Sequence, residues 1–253
     1  MKYYIIAGEA SGDLHASNLM KSLKKEETHT DFRFWGGDLM EKVGGTLVKH
    51  YRELAFMGFA EVFMNLRTIL NNIKFCKQDI LQFAPDAVIL VDYPGFNLRI
   101  AEFARKHHIT VHYYISPQIW AWKENRIKKI KRDIDHMYVI LPFEKDFYEN
   151  KHNFPVHFVG HPLLDAIADR KPLNPLKFAK ENKLNDKPII ALLPGSRKQE
   201  ITKMLSVMLK MVPKFPDHQF VIAGAPSQEL SFYENMIADE DVAIVENMTY
   251  DLL

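Results

Sequence analysis

Short apolar runs alternate with longer amphipathic stretches along most of the chain. Tyr3–Ala7, Phe32–Trp35, Thr46–Tyr51, Ala87–Val91, Val111–Ile115, His136–Leu141 and Val156–Val159 have the length and composition of strands. Leu14–Lys25 and Leu98–His107 have helical spacing. Strands that alternate with helices predict the α/β class and a doubly wound parallel sheet. Ala87–Val91 is the centre of this pattern. Its five apolar residues, three of them β-branched, suit a strand buried on both faces. Asp92 follows at once, Pro94-Gly95 forces a turn, and a helix is expected to start near Phe96.

Gly160-His161-Pro162 marks a change of direction into a proline- and lysine-rich stretch. This is the expected entry to a second domain. Beyond it, Ile189–Leu193, Gln219–Ala223 and Val242–Val245 are strand-like. The expected organisation is therefore two Rossmann-like domains, 1–160 and 161–253. The second is incomplete in this chain, since a full half of this type needs roughly five or six strands. The segment from Met57 to Phe83 adds an apolar stripe. Phe59, Val62, Phe63, Leu66, Ile69, Leu70 and Ile73 follow helical spacing, with Asn65, Thr68, Asn71 and Asn72 opposite and Arg67, Lys74 and Lys77 adding charge. A helix packed on a sheet explains this stripe. An exposed apolar face beside cations, suited to a lipid or membrane surface, is the alternative, and the pattern alone favours the first.

Composition narrows the class. The chain has 253 residues, 47% hydrophobic and 26% charged, which is ordinary for a globular protein. A formal net charge of +1 gives no global field that would select nucleic acid. The one cysteine, Cys76, excludes an internal disulfide, fits a reducing compartment and reads as a small core residue. Tyr3–Ala7 is too short for the apolar part of a secretion signal. No run reaches the roughly 18 apolar residues that span a bilayer. The expectation is a cytoplasmic protein with at most peripheral membrane contact.

Several stretches offer chemistry. Asp92 sits at the carboxyl end of a central strand, where open α/β sheets bind ligands. It could equally cap the following turn, and Pro94-Gly95, by permitting close approach, favours a functional role. Gly8-Glu9-Ala10-Ser11-Gly12-Asp13 opens a strand–loop–helix unit, with Ser11 or Asp13 as the expected helix cap. It matches neither a dinucleotide fingerprint nor a hydrolase elbow. Trp120 and Trp122 leave the strand Val111–Ile115 in a proline-containing loop and could wall a ligand or roof the core. His161 could touch a ligand at a domain seam or cap a hinge. Pro194-Gly195-Ser196-Arg197 is the better anion site. Gly195 allows close approach, Ser196 can cap, the helix start presents free N–H groups, and Arg197 adds a bidentate donor. No His/Cys/carboxylate spacing suggests a metal site, and His107-His108 is an adjacent pair that diverges on a helix.

Six motifs in order resemble the lipid-A-disaccharide synthase family. They are Gly8–Asp13, Met57–Val62, Asp92–Asn97, Ser116–Trp122, Gly160–Pro162 and Leu193–Arg197. The resemblance implies a metal-independent, inverting glycosyltransferase of the two-Rossmann GT-B architecture, with no cofactor. The implied reaction joins UDP-2,3-diacylglucosamine to 2,3-diacylglucosamine 1-phosphate and releases UDP, at the cytoplasmic face of the inner membrane of a Gram-negative bacterium. It implies Asp92 as general base and Arg197 beside the donor diphosphate. Gly8, Ser11, Gly12, Asp13, Asn97, Gln118, Trp120, His161, Gly195 and Ser196 become the implied substrate contacts. The Phe59–Ile73 stripe becomes the membrane or acyl-chain surface, carried by Phe59, Val62, Phe63, Leu66, Ile69 and Leu70. Partners are the two lipid sugars and the membrane, with no nucleic acid and with a homodimer left open. The family's Ser-Gly-Thr segment and the glutamate after it should follow Leu253, so the chain is expected to be a fragment that is inactive alone. Two other readings remain: a non-catalytic lipid-binding fragment and a nucleotide-sugar epimerase of the same architecture.

Overall fold

The computed structural model describes residues 1–27, 29–54, 66–168, 173–237, 241–246 and 248–252, without the side chain of Leu66. It divides into two compact units, Met1–Asp165 and Ala166–Leu253.

In the first unit, β1 (Lys2–Ala7), β2 (Asp31–Gly36), β3 (Thr46–His50), β4 (Ala87–Val91), β5 (Thr110–Tyr114), β6 (His136–Val139) and β7 (His157–Phe158) form one sheet. Its order is β3-β2-β1-β4-β5-β6-β7. Every pairing is parallel. The helices are α1 (Ala10–Glu26), α2 (Asp38–Val43), α3 (Leu66–Phe83), α4 (Pro94–Lys106), α5 (Ile127–Asp133) and α6 (Pro142–Asp146), and α7 (Pro162–Ala168) runs across the boundary between the units.

Strand alternation sorts the core into two layers. Tyr3, Ile5 and Ala7 face one side of β1 and pack with Ala16 and Met20 of α1 and Met40 of α2. Tyr4 and Ile6 face the other side, with Ile73, Cys76 and Ile80 of α3 and Ile100, Ala101 and Ala104 of α4. β4 is buried along its whole length, as its five apolar residues require. A buried polar cluster fastens α3 to the sheet. Asp79 accepts two bonds from Arg33, at 2.8 and 2.6 Å, and one from the Tyr4 hydroxyl at 2.7 Å. The Trp35 indole in turn donates to that hydroxyl at 2.8 Å. Cys76 lies inside this layer as a free thiol, and burial pushes its pKa up, which makes it inert packing rather than a nucleophile.

In the second unit, β8 (Ile189–Leu192), β9 (Gln219–Gly224) and β10 (Val242–Glu246) form a parallel sheet of order β10-β9-β8. α8 (Pro175–Glu181), α9 (Lys198–Met208), α10 (Leu230–Ile237) and α11 (Thr249–Leu252) accompany it. Ile201 and Leu205 of α9 pack with Phe220 and Ile222 of β9 and Tyr233 of α10. β9 is the buried centre strand, and Ile189 on β8 is 41% exposed.

Several local expectations change. α1 begins at Ala10, so neither Ser11 nor Asp13 is its cap. The cap position is Glu9, without a side-chain bond. α4 begins at Pro94 rather than near Phe96, because proline suits the first helical position. His107 and His108 lie past its end, and His108 is left-handed at φ 58°. Ser196 is not the cap of α9, a place Arg197 holds through its main chain. Of the apolar stripe, Phe59, Val62, Phe63 and the Leu66 side chain lie outside the described residues.

Candidate active site

The strand order reverses between β1 and β4. Chain leaving these two strands turns to opposite faces, which opens a crevice at their carboxyl ends. Gly8-Glu9 leaves β1 and Asp92-Tyr93 leaves β4. The two loops touch. A Cβ on Gly8 would lie 2.4 Å from Cδ1 of Tyr93, so glycine is needed there for the ring to cross the first loop. The same ring stacks on Phe96 at 5.7 Å. A Cβ on Gly95 would meet nothing within 4 Å, so the backbone next to the acid is open.

Asp92 and Tyr93 are both left-handed, at φ 44° and 48°. The Asp92 N–H donates to the Tyr114 carbonyl at 3.1 Å. Its own carbonyl accepts from Asn97 Nδ2 at 2.8 Å and from the Tyr113 hydroxyl at 2.5 Å. Asn97 is fully buried and also donates to the Val91 carbonyl at 3.2 Å.

The other expected contacts of this unit fall into two groups. Asp13 is engaged by the main chain: its buried carboxylate accepts from the N–H groups of Gly37 (2.8 Å), Leu39 (3.0 Å) and Met40 (3.1 Å). Those are orphan donors at the start of α2, so Asp13 caps that helix from another element. A Cβ on Gly12 would lie 3.2 Å from that of Ala7, so this glycine brings α1 close to β1. Ser11, Gln118 and Trp120 are exposed. Trp120 meets Phe143 edge-on at 4.9 Å, and Lys123 lies 4.3 Å over the Trp122 ring. His161 Nδ1 accepts from the Leu163 N–H at 3.2 Å, which leaves Nε2 as its donor nitrogen. Burial and nearby His161 both lower the pKa of His15 on α1.

Two residues at this edge escaped the reading of the sequence. Tyr113 falls there only within the strand Val111–Ile115, with nothing to single it out. Glu144 is buried and accepts from Ser116 Oγ at 2.6 Å and from the N–H groups of Ile140 (3.1 Å) and Leu141 (2.9 Å). It ties the tryptophan loop to the start of α6. Proline at the first helical position with glutamate two residues on was the available signal.

In the second unit, Pro194-Gly195-Ser196 joins β8 to α9. Gly195 is left-handed at φ 110° and exposed. The Ser196 carbonyl accepts from Ser227 Oγ at 2.9 Å and Gln228 Nε2 at 3.3 Å, which fixes the loop. Arg197 lies 3.3 Å from Glu200, and both side chains are about half exposed. The start of an eleven-residue helix with an arginine at its cap suits an anion. Among the described residues, no group of three or more His, Cys, Asp or Glu is placed to hold a metal ion.

Solved structures with a similar fold include nucleotide-sugar enzymes. UDP-GlcNAc 2-epimerase from Neisseria meningitidis, bound to UDP-GlcNAc, superposes with a TM-score of 0.67 at 14% identity, covering 100% of this chain and 74% of that one. The spinosyn rhamnosyltransferase SpnG, complexed with thymidine diphosphate, gives 0.58 at 10% identity, covering 99% and 72%. Likeness at such identities shows the fold, the α/β GT-B type. Sequence is more specific. A family model described as lipid-A-disaccharide synthetase matches residues 3–251. Lipid-A-disaccharide synthase of Coxiella burnetii (strain RSA 331 / Henzerling II) is 40% identical over 253 residues, 98% of this chain and 66% of the relative. That of Geobacter sulfurreducens (strain ATCC 51573 / DSM 12127 / PCA) is 36% identical over 255 residues, 98% and 66%. The chain belongs to the lipid-A-disaccharide synthetase family, and it spans about 66% of the length of these curated relatives.

Proposed function

We propose that the full-length protein transfers a diacylglucosaminyl group from UDP-2,3-diacylglucosamine to 2,3-diacylglucosamine 1-phosphate. The observation that carries this reading is the placement of Asp92 at the carboxyl end of β4, at the β1/β4 switch and beside open backbone at Gly95. In the proposed step, the Asp92 carboxylate takes the proton of the acceptor hydroxyl. The hydroxyl oxygen forms the new bond to the anomeric carbon as the bond from that carbon to the UDP oxygen breaks. UDP leaves with the electron pair, and configuration inverts. Positioned proton removal contributes about 10²–10⁴ in rate. The α9 start, with Gly195, Ser196 and Arg197, stabilises the charge that grows on the leaving diphosphate. Ser11, Gln118, Trp120 and His161 are the candidate contacts of the acceptor half; Gly8, Gly12, Asp13 and Asn97 act on it through the main chain.

The acyl chains and the inner-membrane surface are assigned to α3 and the stretch before it. Among the described residues, no helix is long and apolar enough to cross a membrane. α3 carries a groove of about 350 Å³ lined by Leu70, Ile73, Lys74, Lys77, Leu81 and Phe103. Apolar floor and lysine rim suit acyl chains beneath anionic headgroups. Asp92→Asn in the full-length protein tests the chemistry. UDP release should fall at least a hundredfold with UDP binding unchanged; more than about a tenth of the wild-type rate would exclude a general-base role.

A further inference from the structure

Asp92 is gripped by its main chain rather than left to its loop. One N–H bond and two converging bonds to its carbonyl hold it, and the two carbonyl donors, Asn97 and Tyr113, are both fully buried. Burial pushes the Tyr113 phenol well above its ordinary range, so the hydroxyl keeps its proton and remains a donor. Neither side chain is open to a substrate. A structural explanation would be that they satisfy a part-buried carbonyl, but one donor would suffice for that. The grip also falls on consecutive left-handed residues, neither of them glycine. Such conformations are strained for residues other than glycine and persist where the surroundings over-determine them. The order of bonding explains how this is done. Asn97, one turn into α4, reaches back to the carbonyls of Val91 and Asp92, the last residue of β4 and the one after it. Tyr113 arrives from the neighbouring strand β5. Helix and adjacent strand thus converge on one peptide unit.

We propose that Tyr113 and Asn97 are positioning residues, which lock the Asp92 main chain in its left-handed conformation and so aim its carboxylate into the crevice at the β1/β4 switch. This rests on the reading of Asp92 as the base. A displacement of about 1 Å at a reacting group can cost up to a hundredfold in rate, so loss of one tether should be visible in turnover while substrate affinity stays.

The test is a double-mutant cycle in the full-length protein, following UDP release. Tyr113→Phe deletes one hydroxyl and keeps the ring. It should lower kcat about tenfold, with KM for both substrates within twofold. Placed on Asp92→Asn, it should lower the residual rate no further, because there is no base left to aim. Asn97→Asp sets an acceptor against two carbonyls and should show the same non-additivity with a larger loss. If that variant does not fold, Tyr113→Phe decides alone, with its melting temperature and UDP affinity as fold controls. Wild-type kcat in Tyr113→Phe, or the same fold-loss in both backgrounds, would overturn the positioning role and leave Asp92 as base. Asp92→Asn above about a tenth of the wild-type rate would instead remove the base reading, and this one with it.

Discussion

Asp13 and Asn97 show how polar side chains that look free for a ligand can be taken by the main chain. Asp13 has three N–H partners, at Gly37, Leu39 and Met40, all more than twenty positions away in the chain. No local pattern could reveal that, because the spacing that makes a cap is normally within one turn. The position of Asp92 was legible for the opposite reason: it stands directly after a recognisable buried strand. Asp13→Ala leaves the buried N–H groups of Gly37 and Met40 unpaired, at about 1–3 kcal/mol for each group left bare. A clear drop in melting temperature is therefore expected, and an unchanged one would show that water or a neighbour replaces the carboxylate. Arg197 belongs at the same scale. Its pairing with Glu200 is half exposed and so weak, about 0–1 kcal/mol. A charged bond to phosphate is worth roughly 1.5–3 kcal/mol. Calorimetric titration of Arg197→Ala with UDP should show at least a tenfold weaker dissociation constant, and Glu200→Gln should bind at least as tightly as wild type. An unchanged constant in Arg197→Ala would take the arginine out of the site.

Among the elements, the strands were the most legible, since runs such as Ala87–Val91 and Gln219–Ala223 are bounded by turn residues and need burial on both faces. α3 was only half legible. Its helical period is plain, yet the period does not say which side is buried. Ile73, Cys76 and Ile80 face the core, but so does Asp79, because Arg33 and Tyr4 satisfy it. Leu70, Phe75 and Leu81, by contrast, are 52%, 47% and 48% exposed, while Ile73 is 6% exposed. This split yields a discriminating pair of variants. Leu70→Ser with Leu81→Ser should weaken binding to anionic vesicles and leave the melting temperature near wild type. Ile73→Ala should destabilise the first unit by about 2–5 kcal/mol. A large stability loss in the first pair would return the groove to ordinary packing.

For the whole molecule, alternation of strands and helices was enough to predict parallel sheets, but not their order. The switch between β1 and β4 depends on contacts across more than eighty residues, which no local period encodes. The two units have separate cores, one built around β1 and β4 and the other around β9. They should respond separately to acid. His15 and His112 both lie in the first unit, and burial is the main cause that lowers the pKa of each. His161 adds to the effect on His15. On His112, His136 adds to it and Asp135 opposes it. The unfolded chain therefore takes up these two protons first, starting near the ordinary histidine value of about 6.5. Below it the unfolded state binds more protons than the native one, so stability falls with pH until the native imidazoles also titrate. Calorimetric scans from pH 7 to pH 5 should move the transition of the first unit downward. The variant His112→Gln, which cannot titrate, should flatten that shift. If the transition of the first unit held steady over this range in the wild type, the imidazoles would carry no such linkage and would titrate in the native state as they do in the unfolded one.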